Sequence, residues 1–255
     1  MCVASDSRPP LAPIAGAAVA SESVLLAAAD GNVLRAFEAR PSAAGSRTGV
    51  LVLPDVRGLN GFYEELALRF GEAGVHALAI DYFGRTAGTD PRADDFDYMP
   101  HVERTTWAGM QADIQAASDH LRARGAPAVV TVGFCYGGRV SFLCATLPSV
   151  NAAGVVGFYG KPVGPGRAGT PAPADLAATF QSPVLGLFGG ADPSIPPDAV
   201  DTFRAALDDA AVDHDIVVYP GAPHSFFDRK QEQYAAESAD AWQRSLAFIR
   251  RAGGA

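Results

Sequence analysis

Apolar residues recur along this chain in two alternating rhythms. Continuous apolar runs at 50–56 (VLVLPDV), 76–81 (HALAID), 128–134 (AVVTVGF), 154–159 (GVVGFY) and 183–189 (PVLGLFG) read as strands buried on both faces of a parallel sheet. Between and after them, 62–73, 102–125, 138–147, 197–211 and 231–251 read as helices, the last carrying Trp242, Leu246 and Ile249 on one face. Gly74, Gly125 with Pro127, and Pro148 mark where three of these helices stop. The turn Asp30-Gly31-Asn32 between 24–28 and 33–39 predicts a hairpin, and 215–219 supplies one further strand. The stretches 41–49, 84–100 and 160–173 read as loops: the first small and polar, the second charged and aperiodic, the third rich in Gly and Pro. Aperiodic loops as long as 84–100 are often lids or binding loops.

Strands and helices alternate with no internal repeat and no dividing linker. A single α/β domain over 22–255 follows, a mostly parallel doubly wound sheet with helices on both faces. Residues 1–21 are expected to be a flexible lead-in. Residues 11–20 are apolar and end in Ala18-Val19-Ala20, like a signal-peptidase site, but Asp6 sits beside Arg8, and Pro9, Pro10 and Pro13 interrupt any apolar helix.

Composition narrows the partners. A hydrophobic fraction of 48% in 255 residues supports a sizeable core, and the chain has no apolar run long enough to span a membrane. A formal net charge of −8 argues against a nucleic-acid surface and against a polybasic membrane patch. Cys2, Cys135 and Cys144 are odd in number and lack metal-type spacing, which fits a reducing, cytoplasmic interior better than a disulfide framework. No His, Cys, Asp and Glu cluster has ligand spacing, so neither metal nor cofactor is expected.

The chemistry gathers at the carboxyl ends of predicted strands, where open α/β sheets carry their functional groups. Cys135 lies in Gly133-Phe134-Cys135-Tyr136-Gly137, a G-x-C-x-G turn between a strand and a helix. This is the nucleophile-elbow pattern with sulfur in place of oxygen. A thiolate there would gain from the positive end of the following helix. Asp192 follows the strand ending at Gly189, and His224 follows the strand ending at Tyr219. Nucleophile, acid and base then fall in the chain order of the α/β-hydrolases. A neutral imidazole can take the thiol proton, and a buried carboxylate can hold its other nitrogen. Asp198 is the alternative acid, although Pro196-Pro197 before it suits a helix first turn. His76, His120 and His214 lie on predicted strands or helices away from any nucleophile, His101 borders the long loop, and Cys144 reads as a core residue.

The elbow GFCYGG, the segment GAPHSF around His224 and the strand-loop PDVRGLN resemble the dienelactone hydrolase family, across nearly the whole chain. The resemblance implies the α/β-hydrolase fold, with Cys135 as nucleophile, His224 as base and Asp192 as orienting acid. It assigns the oxyanion hole to the backbone N–H groups of Tyr136 and Val56. Asp55 falls where the family usually holds a glutamate that contacts the resting thiol, and Arg85 where an arginine binds the substrate carboxylate. One departure stands out: Asp228 occupies the position of a second family arginine, with Arg229 one place on. Either Arg229 or an arginine of the long loop such as Arg92 replaces it, or the substrate is not a dienelactone acid.

These readings predict a cofactor-free hydrolase of small carboxylic esters or lactones, a monomer or weak homodimer, with Tyr82, Phe83, Phe226 and Phe227 lining a pocket for flat or aromatic acyl groups. A broad small-ester or thioester hydrolase is one alternative. A non-catalytic or redox-responsive binding protein on the same fold is another.

Overall fold

A computed structural model describes residues 6–42, 47–93 and 95–254 of the chain. Cys2, residues 43–46 of the first expected loop and Asp94 of the second lie outside the described residues. The strands are β1 (Val19–Ala27), β2 (Val33–Pro41), β3 (Thr48–Leu53), β4 (His76–Ile80), β5 (Ala128–Phe134), β6 (Gly154–Phe158), β7 (Val184–Gly189) and β8 (His214–Tyr219). They form an eight-stranded sheet in the order β1-β2-β4-β3-β5-β6-β7-β8. β2 pairs antiparallel with β1 on one side and with β4 on the other; β4, β3 and β5 to β8 run parallel. β3, β4, β6 and β7 are buried at every position, which is why their sequences are unbroken apolar runs.

The helices are α1 (Gly61–Glu72), α2 (Gly84–Ala87), α3 (Met99–Arg104), α4 (Trp107–Ala123), α5 (Tyr136–Cys144), α6 (Pro197–Asp209) and α7 (Ala235–Ala252). On one face α1 meets α7 through Phe70 and Trp242, with ring centroids 4.7 Å apart. On the other, α5 meets α6 through Phe142 and Phe203 at 4.9 Å. Gly154 and Gly157 of β6 mark the two faces: the first abuts Phe248 of α7 and the second Phe142 of α5. Residues three apart on a strand point to opposite sides. α5 is buried at all nine positions and forms the centre of its layer. Among the described residues no helix is long and apolar enough to cross a membrane.

Pairing aligns the carboxyl ends of the parallel strands. Leu53 stands opposite Gly133, Phe134 opposite Phe158, and Gly189 opposite Tyr219. The segments after these strands therefore open onto one edge of the sheet.

Several boundaries differ from the sequence reading. The strand expected over 50–56 ends at Leu53, because Pro54 has no N–H to continue the ladder, and Asp55 and Val56 pass into a turn. The helix expected over 102–125 is two helices: Thr105 is extended (ψ 141°), and the Thr106 side chain caps α4 by accepting the Gly109 N–H. The loop expected over 84–100 contains α2 and the start of α3. Part of the lead-in expected over 1–21 lies within the described residues. β1 begins at Val19, and Ser7 is buried, donating to Asp228 at 2.5 Å. The Arg229 N–H donates to the Arg8 carbonyl at 2.9 Å, and the Ile14 N–H to Glu72 at 2.9 Å. A buried carboxylate requires a donor, and the N-terminal segment supplies it.

Candidate active site

The elbow is where backbone sterics and chemistry meet. Cys135 joins β5 to α5 at φ 55°, ψ −112°, a conformation that costs an ordinary residue about 1–3 kcal/mol and persists only where its surroundings impose it. They do so here. The Cys135 N–H donates to the Phe158 carbonyl at 2.9 Å, and its own carbonyl accepts the Arg139 N–H at 3.2 Å. A Cβ at Gly133 would lie 1.9 Å from the Gly137 carbonyl oxygen, and one at Gly137 would lie 2.1 Å from the Leu53 oxygen. Both glycines of G-x-C-x-G are thus demanded by close backbone approach. Tyr136, the first residue of α5, has no intrahelical acceptor for its N–H.

The acid and base loops are stitched together beside it. The Gly190 N–H donates to the Tyr219 carbonyl at 2.8 Å, and the Ala191 N–H to the Ala222 carbonyl at 2.9 Å. This brings His224 Nδ1 to 2.5 Å from Asp192 Oδ2. The other oxygen, Oδ1, accepts the Ser194 N–H at 2.8 Å and the Ser194 hydroxyl at 2.6 Å. Burial works to raise the Asp192 pKa, but the hydrogen bonds from His224 and Ser194 outweigh it and hold the carboxyl below its ordinary value. An ionised Asp192 takes the Nδ1 proton as its hydrogen-bond partner and leaves Nε2 as the acceptor. The Tyr159 ring packs 4.9 Å from the imidazole.

Cys135 and His224 line one cavity of about 660 Å³. Val56 and Tyr136 border it, as do Tyr159, Ser194 and Ile195. Arg139, Lys161 and Arg167 complete the wall on the side of the loop after β6. Asp198 does not join the pair: it is exposed at the start of α6, accepting the Ala199 N–H.

Asp55 is buried next to this cavity, with its carboxyl accepting the Arg57 N–H at 2.9 Å and its own N–H donated to the Tyr63 hydroxyl at 2.9 Å. Burial raises its pKa to about 6; the Arg57 N–H and charge, Tyr63 and the nearby His224 pull it back only in part. Tyr82 sits behind the cavity wall, donating its hydroxyl to the Pro54 carbonyl at 3.0 Å and meeting the Tyr136 ring edge-on at 5.7 Å.

The expected substrate contacts are otherwise corrected. Arg85 is not on the cavity wall; it is held by Asp30 at 2.5 Å, by Asp113 at 2.8 Å and by the Gly109 carbonyl at 3.0 Å. Arg92 donates to buried Asp81 at 2.7 Å, and Arg229 to Glu65 at 2.6 Å. Asp228 is turned inward to Ser7. Phe226 and Phe227 are wholly buried, against Tyr219 at 5.0 Å and Phe158 at 5.0 Å respectively. Phe83 packs on Phe96 and His101 at about 6 Å. These aromatics are core, and the wall belongs instead to Tyr136, Tyr159, Val56 and Ile195. Cys144 is buried on α5, where the apolar surroundings push its thiol up to about 12. Sequence reading missed Ser194, Tyr159 and Arg139. Only Ser194 carried a signal, a hydroxyl two residues past an aspartate, which commonly closes a turn.

A strained elbow after β5, with a carboxylate and a histidine on the loops after β7 and β8 of a sheet in this order, defines an α/β-hydrolase. The sequence profile of the dienelactone hydrolase family matches residues 34–253. A provisionally named carboxymethylenebutenolidase of Salmonella typhimurium is 34% identical over 88% of this chain and 85% of its own. A provisionally named dienelactone hydrolase from Klebsiella pneumoniae has a similar structure, with TM-score 0.79 and 30% identity over 91% of this chain and 98% of that one. A puromycin hydrolase shares the fold alone, at TM-score 0.73 and 17% identity over 96% of this chain and 41% of that one. The chain belongs to the dienelactone hydrolase family, whose members are hydrolases of lactone and ester bonds.

Proposed function

We propose that this hydrolase opens small carboxylic esters or lactones through a Cys135-His224-Asp192 triad and a thioester intermediate. The observation that carries the reading is the His224–Asp192 hydrogen bond of 2.5 Å beside a strained Cys135 in one cavity. His224 Nε2 takes the Sγ proton as sulfur bonds to the substrate carbonyl carbon, and the C=O electron pair moves onto oxygen. The N–H groups of Tyr136 and Val56, both on the cavity wall, receive that oxyanion. The carbon–oxygen bond then breaks, the leaving oxygen takes the proton from Nε2, and the acyl group remains on sulfur. In a lactone the leaving oxygen stays tethered. Water next gives a proton to Nε2 and adds its oxygen to the thioester carbon; the sulfur–carbon bond breaks and the thiol regains the proton.

Asp55 modulates the thiol from behind in this reading. With a pKa near 6 it changes charge close to neutral pH. A second reading, a broad esterase for which dienelactone is incidental, is favoured by one observation. Arg85, the position that the resemblance assigns to a dienelactone carboxylate, is occupied by Asp30 and Asp113.

Hydrolysis of p-nitrophenyl butyrate and of a dienelactone, by wild type and Cys135→Ala, tests the reading. Turnover of at least one substrate that disappears in the variant is expected. Turnover that survives the substitution would remove Cys135 from the mechanism, and ester turnover without lactone turnover would favour the broad esterase.

A further inference from the structure

The loop that carries His224 is held from its far side by the N-terminal segment. Ser225, the next residue, has φ 60°, a left-handed backbone that residues with side chains rarely adopt. Such a conformation persists only where surrounding contacts impose it. Phe226 and Phe227 fix the middle of the segment: both are wholly buried, and the Phe226 carbonyl accepts the Ser238 hydroxyl at 3.2 Å. Asp228 closes its end. It is buried, and its two carboxylate oxygens accept the Ser7 hydroxyl at 2.5 Å and the Lys230 N–H at 3.1 Å.

The tie is reinforced on both sides. The Arg229 N–H donates to the Arg8 carbonyl at 2.9 Å, and Lys230 pairs with Asp6. Glu65 of α1 binds the two segments together, one oxygen meeting Arg229 at 2.6 Å and the other Arg8 at 3.7 Å. Ser7 is itself buried, and a hydroxyl donating to a carboxylate away from water makes a strong bond. Without that hydroxyl a buried carboxylate oxygen loses its donor, which costs more than the bond itself contributes. Asp228 must then turn towards water, and Ser225 is free to relax beside the imidazole. Neither Ser7 nor Asp228 is among the described residues that line the cavity of Cys135 and His224.

We propose that Ser7 and Asp228 are positioning residues: the N-terminal segment straps the loop after β8 and thereby sets the place of the His224 imidazole. This rests on the reading of His224 as the base.

The test compares wild type with Ser7→Ala, Ser7→Thr, Asp228→Asn and, at the other end of the sheet, Glu38→Gln. Steady-state rates on p-nitrophenyl butyrate are read well below every melting midpoint. Ser7→Ala should lower kcat about tenfold with KM within about twofold, because a misplaced base slows turnover while the cavity wall is untouched. Threonine keeps the hydroxyl and should return kcat to within about twofold of wild type. Where Ser7→Ala does not fold, Asp228→Asn keeps the shape with a neutral acceptor and should show the same split, with kcat down about fivefold. A lowered melting temperature with kcat within about twofold, the pattern of Glu38→Gln, would reduce the strap to a structural role and overturn the proposal. Proton NMR reads the His224–Asp192 hydrogen bond without turnover. The Nδ1 proton resonance, identified by its loss in His224→Gln, should shift or broaden in Ser7→Ala and return in Ser7→Thr. An unchanged resonance would overturn the strap, whatever Cys135→Ala reveals about the nucleophile.

Discussion

Two histidine–carboxylate clusters sit at opposite ends of the sheet, and only one has the makings of a site. At the amino end of β4, buried Glu38 accepts from His76 at 2.7 Å, from His120 at 3.3 Å and from Arg124 at 3.1 Å. At the carboxyl end, Asp192 accepts from His224 at 2.5 Å. In the first cluster burial works to raise the Glu38 pKa, but His76 and Arg124 outweigh it and bring the carboxyl down to about 2. Both of its histidines point Nε2 at the same carboxylate oxygen, so neither presents that nitrogen to a cavity. At the second cluster Nδ1 faces the carboxylate, while His224 shares a cavity with a cysteine on strained backbone. A histidine–carboxylate pair is therefore no signature by itself. Its orientation, and the presence of a nucleophile, decide what it can do.

Substitutions separate the two ends by what they change. The largest effect is expected at the elbow and its base: Cys135→Ala or His224→Ala should each lower kcat about a thousandfold or more, with unaltered thermal stability for the histidine variant. Steady-state rates and melting curves check both. At the other end, Glu38→Gln should cost about 1–3 kcal/mol of stability and leave kcat/KM within about twofold, because a buried hydrogen-bonded carboxylate is lost at the end of the sheet away from the cavity. A folded pKa below the unfolded one means that the Glu38 contribution is present above pH 4.5 and lost as pH falls towards 2. The gap between wild type and variant in urea should narrow over that range.

Asp55 has the opposite sign. Its folded pKa, about 6, lies above its ordinary 3.8, so the ionised form is penalised on folding. The penalty is absent below pH 3.8 and complete above about 6. Asp55→Asn should raise stability at pH 8 by up to about 3 kcal/mol and change it little at the acid end. Equal urea midpoints at pH 8 would show that the buried carboxyl carries no such cost. The smallest effect is expected at Ser194, which borders the cavity and hydrogen-bonds Asp192 through its N–H and its hydroxyl. Ser194→Ala should lower kcat about tenfold and move the acid limb of the pH–rate profile upward, as Asp192 loses one of the hydrogen bonds that hold its pKa down. Threonine at the same position should restore both.

The same contrast explains what was legible in the sequence. Strands buried on both faces leave continuous apolar runs, so β3 to β7 were readable within a few residues. The elbow was readable because Gly133 and Gly137 admit no side chain, and the places of Asp192 and His224 followed from strand ends. The rim was not. Arg85 faces away because the hairpin brings Asp30 and α4 brings Asp113, partners remote in sequence. Phe226 and Phe227 neighbour His224 in the chain, but their backbone directs both rings into the core. The N-terminal segment offers no periodicity, so its docking on Asp228 could be found only once Ser7 and the loop after His224 were in one frame.

Acylation of Cys135 is the claim on which the mechanism turns, and one measurement addresses it directly. Wild type is mixed with p-nitrophenyl butyrate, quenched in acid within milliseconds, digested and read by mass spectrometry. A butyryl group on the Cys135 peptide, absent from Cys135→Ala, is the predicted result. Turnover with the label on another residue, or with no covalent acyl group at any quench time, would contradict a thioester at the elbow.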